Sequence, residues 1–256
     1  MKRNILFATV LLVAGSLLAA DTKDEVISAA KKLGDQKSYS WKSTVENANA
    51  NANGGNGGGN GGNGGGRRGR GGMFGPTEGK TEKGGFTAVT FGSGENASEA
   101  IVKGEKGAIK GQDGWQSFEE ASADDGNGGF NPARFRVMRL KNMKAPAGEV
   151  EALVTKVKEL NKTDDAYTGD LTEEGAKSLM TFGGRGGGNG PEISGAKGSV
   201  KIWIKDGLVS KYEYNVKGTM SFNGNDREMN NTTKVEIKDV GTTKVEVSEE
   251  AKKKSS

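Results

Sequence analysis

Leu208-Val209-Ser210-Lys211-Tyr212-Glu213-Tyr214-Asn215-Val216-Lys217-Gly218-Thr219-Met220-Ser221-Phe222 alternates as one long, one-sided β-strand. Leu208, Ser210, Tyr212, Tyr214, Val216, Gly218, Met220 and Phe222 share one face; Val209, Lys211, Glu213, Asn215, Lys217, Thr219 and Ser221 share the other. A period of two sends these sets to opposite sides, one greasy and one wet. Antiparallel sheets tolerate water on one side, whereas parallel sheets are covered on both. At about 3.3 Å per residue the strand spans roughly 50 Å, so its apolar face needs a core, helices or a ligand over it.

The flanks extend the pattern. Val200, Ile202 and Ile204 alternate with Lys201, Trp203 and Lys205, and Asp206-Gly207 then joins two alternating runs, a strong hairpin signal. Thr233, Val235 and Ile237 oppose Lys234, Glu236 and Lys238, and after Gly241 come Val245 and Val247 against Lys244 and Glu246. The spacing predicts a four-stranded antiparallel meander over residues 198–247.

The amino terminus has a basic start (Lys2, Arg3), an apolar run from Ile5 to Ala20 broken by Thr9, Gly15 and Ser16, and then Asp21. These features predict a cleaved secretory signal peptide over residues 1–20. With no Cys at the cut there is no site for lipidation, so the expected location is the periplasm or the exterior. Loss of Lys2 and Arg3 would lower the net charge from +4 to +2. That balance is not the electrostatic footprint of a nucleic-acid protein. Zero Cys and zero His remove thiol chemistry, the commonest general base and the commonest transition-metal ligands. The chain is therefore expected to be no enzyme, and no cofactor or metal is predicted.

Residues 21–46 read as a helix opened by a Thr22-x-x-Glu25 capping box, with Val26, Ile27, Ala30 and Leu33 at helical spacing, followed by a strand through Tyr39, Trp41, Ser43 and Val45. Residues 47–72, rich in Asn and Gly and ending in Arg67-Arg68-Gly69-Arg70, read as a disordered insertion. On an exported chain Arg67, Arg68 and Arg70 suit an anionic envelope surface better than nucleic acid. The rest, residues 73–250, reads as one α+β domain with a basic tail at 251–256. Within it, strands are expected over 85–91, 99–103, 107–110, 115–119 and 166–170. Residues 130–143 fit no single period; helices are expected over Pro146–Asn161 and Thr172–Met180. Gly184-Arg185-Gly186-Gly187-Gly188 lacks the context of a phosphate loop, since no Lys-Ser/Thr pair follows. Asp124-Asp125-Gly126-Asn127 and Asn223-Gly224-Asn225-Asp226 read as turns rather than calcium loops.

The order of these elements, with the strand-turn Val200-Lys201-Ile202-Trp203-Ile204-Lys205-Asp206-Gly207, resembles the LolA/LppX-like lipoprotein-carrier superfamily. The resemblance implies a curved antiparallel half-barrel whose concave face is covered by helices and accepts acyl chains. On that reading Trp41, Phe86, Phe91, Trp115, Tyr212 and Tyr214 line the hollow. Ile202, Ile204, Val216, Val235 and Ile237 complete its wall, under a lid carrying Val150, Val154, Val157 and Leu179. The implied function is an exported, monomeric binding protein for a lipid or lipoprotein acyl chain. The alternative is an envelope structural or interaction protein with a filled core and a flexible surface-binding loop.

Overall fold

The computed structural model describes residues 14–48, 76–92, 97–111, 113–123, 132–181, 191–222 and 224–255. The 49–72 part of the insertion with its three arginines, the 183–190 Gly-rich loop and the Asp124-Asp125-Gly126-Asn127 turn lie outside these residues. Two antiparallel meanders form one sheet. The first runs outward from β1 (Ser38–Asn47) through β2 (Thr77–Glu82), β3 (Thr87–Phe91), β4 (Ser98–Lys103), β5 (Lys106–Gly111) and β6 (Gly114–Ser117). The second runs through β7 (Asn161–Lys162), β8 (Tyr167–Asp170), β9 (Glu192–Lys205), β10 (Leu208–Phe222) and β11 (Asn225–Lys238). β1 pairs with β11, giving the order β6-β5-β4-β3-β2-β1-β11-β10-β9-β8-β7. The ends do not meet, so the sheet is an open half-barrel in an α+β fold.

Residues directly opposed across antiparallel strands share a face, so the register identifies the inner wall. One row runs Trp41, Gly79, Val89, Ala100, Ile109; a second runs Val235, Tyr212, Ile202, Tyr167. Three helices cover this wall: α1 (Ala14–Gly34), α4 (Pro146–Val154) and α5 (Glu173–Met180). α2 (Phe118–Ser122) and α3 (Pro132–Asn142) continue the cover over β4 and β5 through Phe118, Val137 and Leu140. The outer face carries a small cluster of Ile101, Ala108 and Ala251, the last from α6 (Glu249–Lys254).

The Asp206-Gly207 hairpin forms as expected, with both residues at positive φ (53° and 74°). The alternation of β10 is not unbroken. Its register with β9 slips at Ser210, so Val209 and Tyr212 both point inward and both are buried. Val209 therefore belongs to the core and not to the wet face.

Four further expectations are corrected. No capping box opens α1 at Thr22, because the small and apolar residues before it continue the helix; the Thr22 hydroxyl instead donates to the Leu160 carbonyl at 2.7 Å. The helix from Pro146 ends at Val154, and Val157 and Leu160 are buried from a non-helical segment. That segment is pulled toward the start of α5, where Lys158 N–H donates to Asp170 and Thr172 N–H to Lys156. The meander has three long strands and not four: β10 and β1 already occupy both edges of β11. The chain therefore turns away at Asp239 (φ 50°), and Val247 packs on the outer face. The expected basic tail is the docked helix α6, with Ala251 buried and Lys254 paired to Glu120 at 2.5 Å.

Candidate ligand-binding wall

Along the centre of the inner wall, Trp41, Ile202, Tyr212, Val216, Val235 and Ile237 converge in one cluster and are nearly inaccessible, none more than 8 % exposed. Their cover is the protein's own: Val26, Ala30 and Leu33 of α1, Val150, Leu153 and Val154 of α4, and Ala176 and Met180 of α5. Val157 joins this cluster, whereas Leu179, Phe91, Ile204 and Tyr214 pack against its margin and stay half-buried. Phe86 and Trp115 do not belong to the wall. The register puts Trp115 opposite Lys110, on the face of Ala108, and Phe86 lies on the same outer side with Lys103 5.2 Å from its ring centroid. Each sits one residue out of phase with the inward set, which composition alone does not reveal.

One charged residue shares this wall and is half-buried. Pro146, Val150, Leu153 and Val154 face the sheet, and Glu149 falls on the same stripe. Its carboxyl oxygens accept hydrogen bonds from Tyr212 Oη (2.5 Å) and Tyr214 Oη (3.3 Å). Burial pushes the Glu149 pKa above its ordinary value of 4.5, against the two tyrosine hydrogen bonds and the charge of Lys144, which pull it down. Burial also raises both tyrosines, and the Glu149 charge adds to this. Arg139 of α3 faces the same region, its pKa lowered by desolvation and partly restored by Tyr214. The available signal was the tyrosines: a buried hydroxyl requires a partner.

Beyond the helices the wall keeps its chemistry. Val216, Gly218 and Met220 continue the inward phase of β10, opposite Asn231, Met229 and Arg227 of β11. Ile193 of β9 opposes Met220, and Met143 after α3 approaches from above. Ile193, Met220, Met229, Tyr214, Phe91 and Met143 are all half-buried, an apolar strip that the described residues leave partly open. In its midst Asn231 Oδ1 is buried without a hydrogen-bond partner among the described residues. The arrangement offers a partly open apolar surface.

No protein-family profile matches the chain, and no curated protein matches its sequence. Among solved structures it is similar to the Mycobacterium tuberculosis lipoprotein LppX, at TM-score 0.43 and 7% identity over 88% of this chain and 98% of that one. It is also similar to LprF from Mycobacterium bovis, at TM-score 0.37 and 10% identity over 91% and 98% of the two chains. Likenesses this distant concern the path of the backbone, so the functional reading rests on the residues of this protein. No described helix is long and apolar enough to cross a membrane.

Proposed function

We propose that the protein is an exported, non-enzymatic binding protein for a lipid or lipoprotein acyl chain. The chain lies on the open strip formed by Ile193, Met220 and Met229, with Phe91, Tyr214 and Met143 at its sides. The observation that carries this reading is the continuation of the apolar wall past its helical cover, at half-buried residues of strongly apolar type. Burial of a methylene is worth about 0.8 kcal/mol, so eight of them supply on the order of 6 kcal/mol with little demand on chain identity. Methionine is suited to such a surface because its flexible, polarizable side chain adapts to varied shapes.

The test is solvent extraction of the purified protein with mass spectrometry, joined to titration with a fluorescent polyene fatty acid. Met229→Glu and Ile193→Glu should weaken binding at least tenfold without lowering the melting temperature, since neither side chain is in the filled centre. Absence of extractable lipid, together with unchanged binding in both variants, would discard the proposal. One observation favours the second reading, an envelope interaction protein: the centre of the wall is filled by the protein's own side chains. On that reading residues 47–72 make the contacts, and their deletion abolishes surface binding while folding is retained.

A further inference from the structure

On the outer faces of β1, β11, β10 and β9, charges that meet directly across strands are opposite in sign. Lys42 and Lys211 both face Glu236, and Glu213 faces both Lys234 and Lys201. Lys197 and Lys217 break the pattern by facing each other. Directly opposed like charges destabilise an antiparallel pair. Among the described residues neither lysine comes within 4.0 Å of a carboxylate oxygen, although the charge of Lys197 reaches Glu173.

The pair does not sit on a flat surface. A cleft of about 410 Å³ opens there, lined in part by Lys158, Lys197, Lys217 and Ser199. It exists because β8 ends at Asp170 and the chain enters α5, which leaves the edge of β9 before Ser199 uncovered by a strand among the described residues. Two carboxylates, Asp170 and Glu173, share the lining with these lysines. Glu173 is bound by Lys177 at 2.8 Å and also feels the charge of Lys197, and Asp170 lies directly across from Ser199. Asn215 supplies a wall and no donor, since its amide already donates to Asn230, the Asn231 carbonyl and Thr232. Three lysines against two acids leave the lining with a net positive charge, with the Ser199 hydroxyl among them.

We propose that this cleft binds a phosphate group, as a phosphomonoester or as the phosphate of a lipid headgroup, clamped between Lys197 and Lys217 with Lys158 at the rim. Lysine holds phosphate as a point charge, and an anion between the two strands turns their repulsion into attraction. The cleft volume suits a small ligand. Lys197 and Lys217 lie on the outer face of β9 and β10, so the inference is independent of the apolar wall.

The experiment is calorimetric titration of the full chain with glycerol 3-phosphate, beside sedimentation with phosphatidylglycerol and phosphatidylcholine vesicles. Both are run on the wild type, on the Lys197→Gln/Lys217→Gln double variant and on Lys217→Arg. The wild type should bind one of the two anionic probes, the double variant should lose at least tenfold, and Lys217→Arg should keep most of the affinity. Melting temperatures without ligand show that the double variant is folded. Calorimetric binding assigns a free phosphomonoester, and binding to phosphatidylglycerol vesicles alone assigns a headgroup. If neither anionic probe binds at millimolar concentration, or if the double variant binds as the wild type does, the proposal is overturned.

Discussion

Glu149 is half-buried with its carboxyl turned toward two inward tyrosines, and that placement dictates a response to pH. Burial lifts its pKa above 4.5, so between the unfolded and folded values the folded chain holds a proton that the unfolded chain has released. The stability this confers is complete below the unfolded value and declines as pH rises through the folded one. Glu25, Asp35, Glu120 and Glu173 act in the other direction: hydrogen bonds to lysines or Tyr167 lower each pKa. Their contribution is present above their unfolded values and is lost as pH falls, in a separate, more acid window. Glu149→Gln should therefore flatten the decline in stability on the alkaline side of pH 4.5 and leave the acid limb unchanged, as read by urea unfolding across pH. A sloping alkaline limb in the variant would show that another group is responsible. At this scale the sequence was partly legible. The inward tyrosines were evident from their phase, but the acid that answers their hydroxyls was not, because a glutamate beside Val150 on a surface helix ordinarily faces water.

Among the elements, β2 shows most clearly why some structure stayed hidden. Thr77–Glu82 reads Thr-Glu-Gly-Lys-Thr-Glu, with no apolar residue to mark a face. Its place on the inner wall is filled from next door: the Trp41 ring lies across Gly79, where an added Cβ would come within 2.1 Å of the ring, and Trp41 Nε1 donates to Thr81 Oγ1 at 3.2 Å. A strand whose apolar surface is lent by its neighbour leaves no periodic signal of its own. Gly79→Val should therefore destabilise the protein by about 1–3 kcal/mol, the ordinary cost of overpacking. A lowered urea midpoint and altered Trp41 emission would check this, and unchanged values would show that the ring moves freely. The long strands were legible because their alternation is carried by their own residues. The fourth strand was misread for a topological reason, since alternation at Thr243–Val247 cannot reveal that β1 already holds the edge of β11. The expected wall aromatics divide likewise: Trp41, Phe91, Tyr212 and Tyr214 share the inner phase, whereas Phe86 and Trp115 pack on the other side.

For the whole molecule, the decisive feature is the seam between the two meanders, where Ser40 pairs with Lys238 and Trp41 with Ile237. All other strand pairings join neighbours in chain order; this one joins strands from opposite ends of the described chain. Pairing across such a distance must overcome a large loop-closure entropy before it gains contacts, and non-local pairing is slow. The three tryptophans happen to report on the three parts: Trp115 in β6, Trp203 in β9 and Trp41 at the seam. In single-tryptophan variants refolded from urea, Trp41 should reach its native emission last; if it matches or precedes Trp203, the order is different. During synthesis the same arrangement leaves β1 with a bare backbone edge until β11, about 180 residues later, has emerged. A nascent chain of this kind is most vulnerable to mispairing while incomplete, so its yield in a cell depends on how well that waiting strand is shielded.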